Sequence, residues 1–372
     1  MSWSEFFLGE VSNVRRGTTI TQLQTRPGNV PVVAGGMSPT YFHDTSNRAG
    51  NVITVSASGA SAGYVNFWTN PIFASDCSTV TTNRDDMDIK FVYHFLRSQQ
   101  HYINSKLRSG AAQPHVYAKD IAQLRLQVPP INVQCRIVAI LDQVDALRAK
   151  HREALTQLDS LTQSIFMKMF GDPIANPMNW PVASLTDICH CYSGGTPSKA
   201  CPEFWQGTVP WFSAKDLKAD DLFDSQDHIA EAVPRTTNLK LLPANTIAIC
   251  VRGMILAHTF QVSILRIPAT INQDLKALLP RKPIETEYLA ECLRAQSNFV
   301  LQQVSEAGHG TKRLDALGLR EIRVLQPPES FQKEFSSQAL AIRNLRKHHC
   351  TALAELDTLF ASLQHRAFQG EL

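Results

Sequence analysis

Two stretches of this chain are versions of each other. Ser109–Pro130 reads SGAAQPHVYAKDIAQLRLQVPP and Ala307–Pro328 reads AGHGTKRLDALGLREIRVLQPP, an offset of 198 residues. At that offset Gln134 meets Gln332, Leu147-Arg148 meets Leu345-Arg346, Leu158-Asp159 meets Leu356-Asp357, Leu161 meets Leu359 and Phe170 meets Phe368. Upstream the likeness is weaker: Asn51 to Gly59 resembles Asn245 to Gly253, and Gly17-Thr18 resembles Gly195-Thr196. A duplication this long obliges the chain to fold as two related units, each burying its own core. Two related units in one chain imitate a pseudo-two-fold dimer, and that symmetry suits the two half-sites of a duplex.

The more alike part of each copy predicts a long helix. Ile131–Phe170 and Ser330–Phe368 contain no internal Pro or Gly, and each follows a Pro-Pro pair. Apolar residues alternate at three and four, the spacing of a coiled-coil seam. The first seam runs Ile137, Leu141, Val144, Arg148, His151, Leu155, Leu158, Thr162, Ile165, Met169. The second runs Phe335, Ala339, Ile342, Arg346, His349, Leu353, Leu356, Phe360, Leu363, Ala367. The Arg and His in each seam either snorkel at its edge or form a buried polar layer. A helix of this length extends roughly 60 Å at 1.5 Å per residue. Packed antiparallel, the two would make a rod that sets a distance.

The less alike parts mix short strands, turns and a few helices. Val52–Val55 and Ile247–Val251 are expected strands, and Phe91–Leu96 and Glu287–Leu293 expected helices. The predicted fold class is therefore α+β: two globular domains joined by two long helices packed as an antiparallel coiled coil. The predicted division is 1–130 and 173–329 for the globular domains, with 131–172 and 330–372 for the helices.

At 372 residues, 44% hydrophobic and 19% charged, the chain has enough apolar content for sizeable cores. Its net charge of +3 permits nucleic-acid binding without requiring it. No run approaches the ~18 apolar residues of a membrane span, and the N-terminus lacks a signal-peptide pattern. A cytoplasmic protein with reduced, buried cysteines is expected. Cys189-His190-Cys191 with Cys201 matches no standard zinc spacing, so no metal site is expected.

Several loops join small, hydroxyl and basic residues: Tyr192 to Lys199, Val251-Arg252-Gly253, Gly308 to Arg313, Arg15 to Thr18, and Gly110 to His115. Glycine admits close backbone approach, hydroxyls and Lys or Arg hold phosphate oxygens, and Arg or Gln can read base edges. The same glycines would also serve as ordinary turns. The candidate DNA-binding residues are Arg15, Arg16, Thr18, Gln113 and His115 in the first copy. In the second they are Thr196, Ser198, Lys199, Lys215, Arg252, Thr311, Lys312 and Arg313.

Ser193 to Ser198, then Phe204 to Gly207 and Val209-Pro210-Trp211, is similar to the opening of a target-recognition domain in specificity subunits of Type I restriction–modification systems. Phe170 to Pro173 with Asn176-Pro177 and Trp180-Pro181 resembles that family's central junction. Gly110 to Pro114, Pro129-Pro130 and Gln134 resemble its domain close. The first copy carries Arg16-Gly17-Thr18-Thr19 where the second has the full string. The resemblance implies a DNA-sequence-recognition subunit reading a bipartite target, one half-site per domain. It also implies double-stranded DNA, two modification (methyltransferase) subunits and restriction (translocase/nuclease) subunits as partners. S-adenosylmethionine, ATP and Mg would then reside in those partners and no cofactor in this chain.

The chain has no Asn/Asp-Pro-Pro-aromatic tetrad and no Gly-x-x-x-x-Gly-Lys-Ser/Thr loop, and Ala214-Lys215-Asp216 alone does not make a nuclease site. A non-catalytic subunit is expected. The alternatives are the DNA-reading subunit of a related Type II (IIB-like) enzyme, and a coiled-coil scaffold that binds no DNA.

Overall fold

The computed structural model describes residues 3–82, 84–110, 113–306 and 310–372. Ala111-Ala112 and Gly308-His309 of the predicted loops lie outside the described residues. The chain forms two compact units, residues 1–153 with Cys350–Leu372, and Ala154–His349. The long helices are continuous over Ile131–Phe170 and Glu329–Phe368, so each unit holds one globular part and a portion of each helix.

In the first unit, Ser4–Phe7 pairs antiparallel with Arg125–Val128 and closes the globular part just before the helix. The main sheet runs Asn13–Arg16, Cys77–Thr81, Val52–Ser56, Val65–Trp68 in space. A second sheet runs Tyr41–His43, Val30–Val33, Phe73–Ala74. Val52–Ser56 is buried at every position, which is why it reads as a continuous β-prone run rather than an alternating one. Asn51 before it sits at φ 56° and Gly59 after it at φ 80°. Only Gly, Asn and Asp adopt that region readily, so the repeated Asn…Gly frame marks the two ends of a central strand.

The second unit repeats this plan. Val182–Ser184 pairs with Arg323–Leu325. The main sheet runs Cys189–Ser193, Leu275–Pro280, Thr246–Cys250, Val262–Leu265, extended by Asp221–Leu222. The smaller sheet runs Asp227–Ile229, Val209–Phe212, Thr270–Ile271. Thr246–Cys250 is again wholly buried, with Asn245 at φ 65° and Gly253 at φ 136°. The duplication read from the sequence is thus a duplication of topology.

Each long helix is fastened to its domain by the same glutamine. Gln134 donates to the carbonyls of Asp86 and Pro129 and accepts from the amide of Asp88, the residue capping helix Ile89–Ser98. Gln332 donates to the Pro327 carbonyl and accepts from the amide of Glu285, which precedes helix Thr286–Ala295. Both amides are buried and would cost about 1–3 kcal/mol if left unpaired, reason enough for the match at these positions.

Within each unit the helices pack antiparallel. In the first, Arg148 meets Asp357 at 2.6 Å while Ile137 and Leu141 share a core with Ala367. In the second, Asp159 meets Arg346 at 2.9 Å and Phe166 packs on Phe335 at 5.6 Å. Arg148 resolves the choice between edge and layer. Its side chain is 13% exposed, pairs with Asp145 and Asp357, and lies 4.3 Å over the Phe360 ring. Its counterpart Arg346 is half exposed.

Two expectations are corrected. The seam placed Ile165 and Met169 inside, but Phe166 and Phe170 are the fully buried pair and Ile165 and Met169 only pack against that core. Here the helix faces Tyr288 of the domain as well as its partner helix, which turns the buried face by one residue. The cysteines are all free, and Cys77, Cys189, Cys250 and Cys292 are buried, but Cys135 and Cys350 are exposed on the long helices. Both occupy positions off the apolar seam.

The helix–domain contact has opposite charge sense in the two units. In the first, Lys90 and His94 of the short helix meet Asp142 of the long helix at 2.5 and 2.8 Å. In the second, Glu287 of the short helix and Asp221 face Arg343 of the long helix. His94 is 1% exposed on its side chain. Its Nε2 faces Asp142, and Nδ1 has no partner among the described residues, so the neutral ring donates through Nε2. Burial pushes its pKa below the ordinary 6.5, although hydrogen bonding to Asp142 opposes this. The unfolded chain therefore takes up the proton first as pH falls, and stability should drop as pH falls below about 6.5. Urea unfolding at pH 7.5 and 5.5 should show a larger loss for the parent than for His94→Gln; equal losses would remove His94 as the cause.

Candidate nucleic-acid interface

In the second unit the loop after Cys189–Ser193 is shaped by its glycines. A Cβ on Gly194 would overlap the Ile271 carbonyl, and the Gly195 amide donates to that same carbonyl at 3.0 Å. The loop is braced by indoles. Trp211 Nε1 donates to Gly195 O at 2.9 Å, Trp205 Nε1 donates to Ser198 O at 3.3 Å, and the two rings meet edge to face at 5.0 Å. Thr196 donates to Gln273 Oε1 at 2.6 Å, and Ser198 accepts from the Ala200 amide. The small-residue string and the tryptophans that follow it are therefore one construction, a loop and its scaffold.

Beside this loop lies a cleft of about 370 Å³ whose lining includes Ser193, Arg252, Gln273, Lys276 and Arg313. Arg252 leaves the end of the central strand and forms an isolated β-bridge with Arg313. The bridge is flanked by Gly253 N donating to Lys312 O and Leu314 N donating to Val251 O, both at 3.0 Å. Lys276 stands opposite Ser193 in the sheet and donates to its hydroxyl at 2.8 Å. Sequence reasoning missed Lys276 and Gln273. Lys276 sits in an otherwise apolar strand, and only the strand register brings it to Ser193.

The other candidates of this unit lie elsewhere. Lys215 pairs with Asp227 at 2.7 Å, and that carboxylate holds its ammonium above the usual range. Lys312 pairs with Glu306 at 2.9 Å and holds that carboxyl low. Lys199 is exposed and Thr311 partly buried. Cys189 is buried, which pushes its thiol up to about 12. Among the described residues no group of three or more metal-ligating side chains occurs, and no helix is long and apolar enough to cross a membrane.

In the first unit Arg15 and Arg16 end the edge strand Asn13–Arg16 and are exposed. Arg15 donates to Asn13 at 2.9 Å, and Arg16 stands 4.0 Å from Asp76. His115 bridges to both Ser58 and Ser109 and stacks on Tyr117 at 6.2 Å, while Gln113 is exposed. Thr18 is exposed, and its amide donates to the Ala74 carbonyl. Since Ala74 and Ile271 occupy the same place in their sheets, the structure matches Thr18 to Gly195 and Gly17 to Gly194. That is one residue away from the sequence alignment. The correction has a steric cause: Gly17 and Gly194 both press on the carbonyls of the adjacent strand, where a Cβ would overlap.

The same two halves are found by comparison with known families. Residues 1–158 and 177–337 match the model of the Type I restriction modification DNA specificity domain. The chain belongs to that family. The resemblance to Type I specificity subunits drawn from the sequence is borne out.

Among relatives, the specificity subunit of the EcoR124I/EcoR124II type I restriction enzyme of Escherichia coli is 29% identical over 267 residues, covering 68% of this chain and 63% of that protein. The MjaIX specificity subunit of Methanocaldococcus jannaschii is 27% identical over 161 residues, covering 42% of this chain and 36% of that protein. The matches thus span less than two thirds of these relatives' lengths. The crystal structure of a Type I S subunit from M. genitalium superposes with a TM-score of 0.70 at 18% identity, covering 99% of this chain and 96% of that one. A chain from a study of complex assembly and conformational transition of the type I R-M system gives 0.58 at 18% identity, covering 100% and 98%. At such identities the likeness establishes the shared fold of this specificity family.

Proposed function

We propose that this chain is the DNA-sequence-reading subunit of a type I restriction–modification complex and has no active site of its own. Each globular domain reads one half of a bipartite target, and the paired helices set the spacer. The observation that carries this reading is the family match to both halves together with the repeated topology, in which equivalent strands and loops present Arg16, Thr18 and His115 in one copy and Ser193, Thr196, Arg252 and Arg313 in the other. Double-stranded DNA is the ligand. Methyl transfer, with S-adenosylmethionine, and cleavage and translocation, with ATP and Mg, belong to modification and restriction subunits that it directs.

The helices offer a place for two equal partners. Leu147 and Leu359 in the first unit, and Leu161 and Leu345 in the second, are each 39–47% exposed. They are two sequence-equivalent pairs that the helix seam does not use. On this reading the repeated leucines are the docking surface, and duplication calls for two copies of one partner, the modification subunit. Leu147→Glu with Leu359→Glu should reduce the mass of the purified complex from two modification subunits to one. Retention of both copies would exclude this surface.

The reading itself is tested by co-expressing the chain with its modification subunit and mapping methylated adenines. Methylation at one bipartite sequence is expected. Methyl transfer by the isolated chain, or methylation without sequence preference, would overturn it.

A further inference from the structure

Strand register allows the two domains to be compared position by position, and their charges differ. Ser193 pairs with Lys276 as Arg16 pairs with Ser78. Cys250 pairs with Leu275 as Ser56 pairs with Cys77, so Arg252 corresponds to Ser58. Arg252 bridges to Arg313 as Ser58 bridges to His115. The positions held by Arg252, Lys276 and Arg313 in the second domain are therefore held by Ser58, Ser78 and His115 in the first.

The three cations of the second domain share one cleft. Among the described residues none of them lies within 4.0 Å of a carboxylate. Among the described residues the Lys276 ammonium donates only to the Ser193 hydroxyl. Asp315, also in the lining, uses its carboxylate to cap the Gly318 amide, and Asp274 accepts from Asn272.

In the first domain the nearby arginines are committed to other groups: Arg15 donates to the Asn13 side-chain oxygen at 2.9 Å. Arg16 stands 4.0 Å from Asp76, which also accepts from Ser58. Arg48 donates to Thr79 Oγ1 and to the carbonyls of Asn47 and Arg16, and Arg108 donates to the carbonyls of Ala60 and Ala62.

We propose that the second domain is the electrostatic anchor of the chain on duplex DNA, with Arg252, Lys276 and Arg313 contacting phosphates, while the first domain adds at most a single such contact. This rests on the DNA-reading function proposed above. Phosphate contacts release counterions, so each one steepens the fall of affinity with salt by about 0.9 in log–log slope.

The test measures binding of the full chain to a 30-bp mixed-sequence duplex by fluorescence anisotropy across a KCl series. Arg252→Gln with Lys276→Gln and Arg313→Gln should reduce the salt slope by about 2.7, three contacts' worth. Arg16→Gln with His115→Gln should reduce it by no more than about 0.9. Circular dichroism of each variant confirms that it is folded. A reduction below about one unit in the triple variant, or equal reductions in the two variants, would overturn the anchor while the parent's own salt slope still supports DNA binding. A parent that shows no salt-dependent binding to the duplex would overturn the DNA-reading function itself, and the anchor with it.

Discussion

Phe166→Ala is expected to destabilise the second unit by about 3–5 kcal/mol, the usual effect of emptying a fully packed aromatic site. Phe166 is 0% exposed. Its ring meets Phe170 at 5.1 Å, Phe335 at 5.6 Å and Tyr288 at 5.8 Å. Those partners come from both long helices and from the domain's own short helix, so one truncation opens a cavity where all three meet. Tyr288 cannot fill it, because its hydroxyl is held by the Leu325 carbonyl at 2.9 Å. Urea denaturation followed by tryptophan fluorescence measures the effect. Phe166→Leu should lose clearly less, since most of the volume remains. The equivalent position of the first unit carries Gln364, which donates to the His94 carbonyl at 3.2 Å. Gln364→Ala should therefore have a much smaller effect than Phe166→Ala. If the two losses are equal, the aromatic cluster is not the joint it is taken to be.

Inserting one heptad into each long helix is expected to change the DNA spacer that the complex prefers by about three base pairs. Seven residues add about 10.5 Å at 1.5 Å per residue. They keep the 3-4 seam in phase, so the antiparallel contacts on either side of the insertion can re-form. Duplex DNA rises about 3.4 Å per base pair, which gives the three-pair change. It also rotates the groove by roughly a third of a turn. Methylation mapping on targets of graded spacer should show a longer optimum, or loss of activity on every bipartite target if the helix pair cannot absorb the rotation. A folded double-insertion variant that keeps the original optimum would show that the helices do not set the spacing.

The long helices were legible because their signal is local and repeated. Pro-Pro stops, absence of internal Pro and Gly, and the heptad pattern predicted Ile131–Phe170 as observed, with the second helix starting at Glu329, one residue before the prediction. The central strands and short helices were legible for a similar reason, since their apolar runs are dense and bounded by turn residues. The candidate interface was legible only in part. Arg252 and Arg313 stand in loops that announce themselves by glycine, and they do meet. Lys215 and Lys312 carry the same residue type but are paired with carboxylates 12 and 6 residues away in sequence.

The sequence by itself determined that the chain is two copies of one unit, that each copy ends in a long helix, and that a glutamine follows each Pro-Pro pair. These follow from short-range periodicity and from identity between the copies, and neither needs knowledge of what lies across the core. Only the tertiary structure decided which face of each helix is buried, how Gly17 and Gly194 correspond, and which cations remain unpaired. Those outcomes depend on partners far apart in sequence. Phe166 is turned inward by Tyr288, Gly194 is fixed by the Ile271 carbonyl, and Lys276 is brought to Ser193 by strand register. Contacts of that kind are set by packing, where a shift of one residue exchanges a buried side chain for an exposed one.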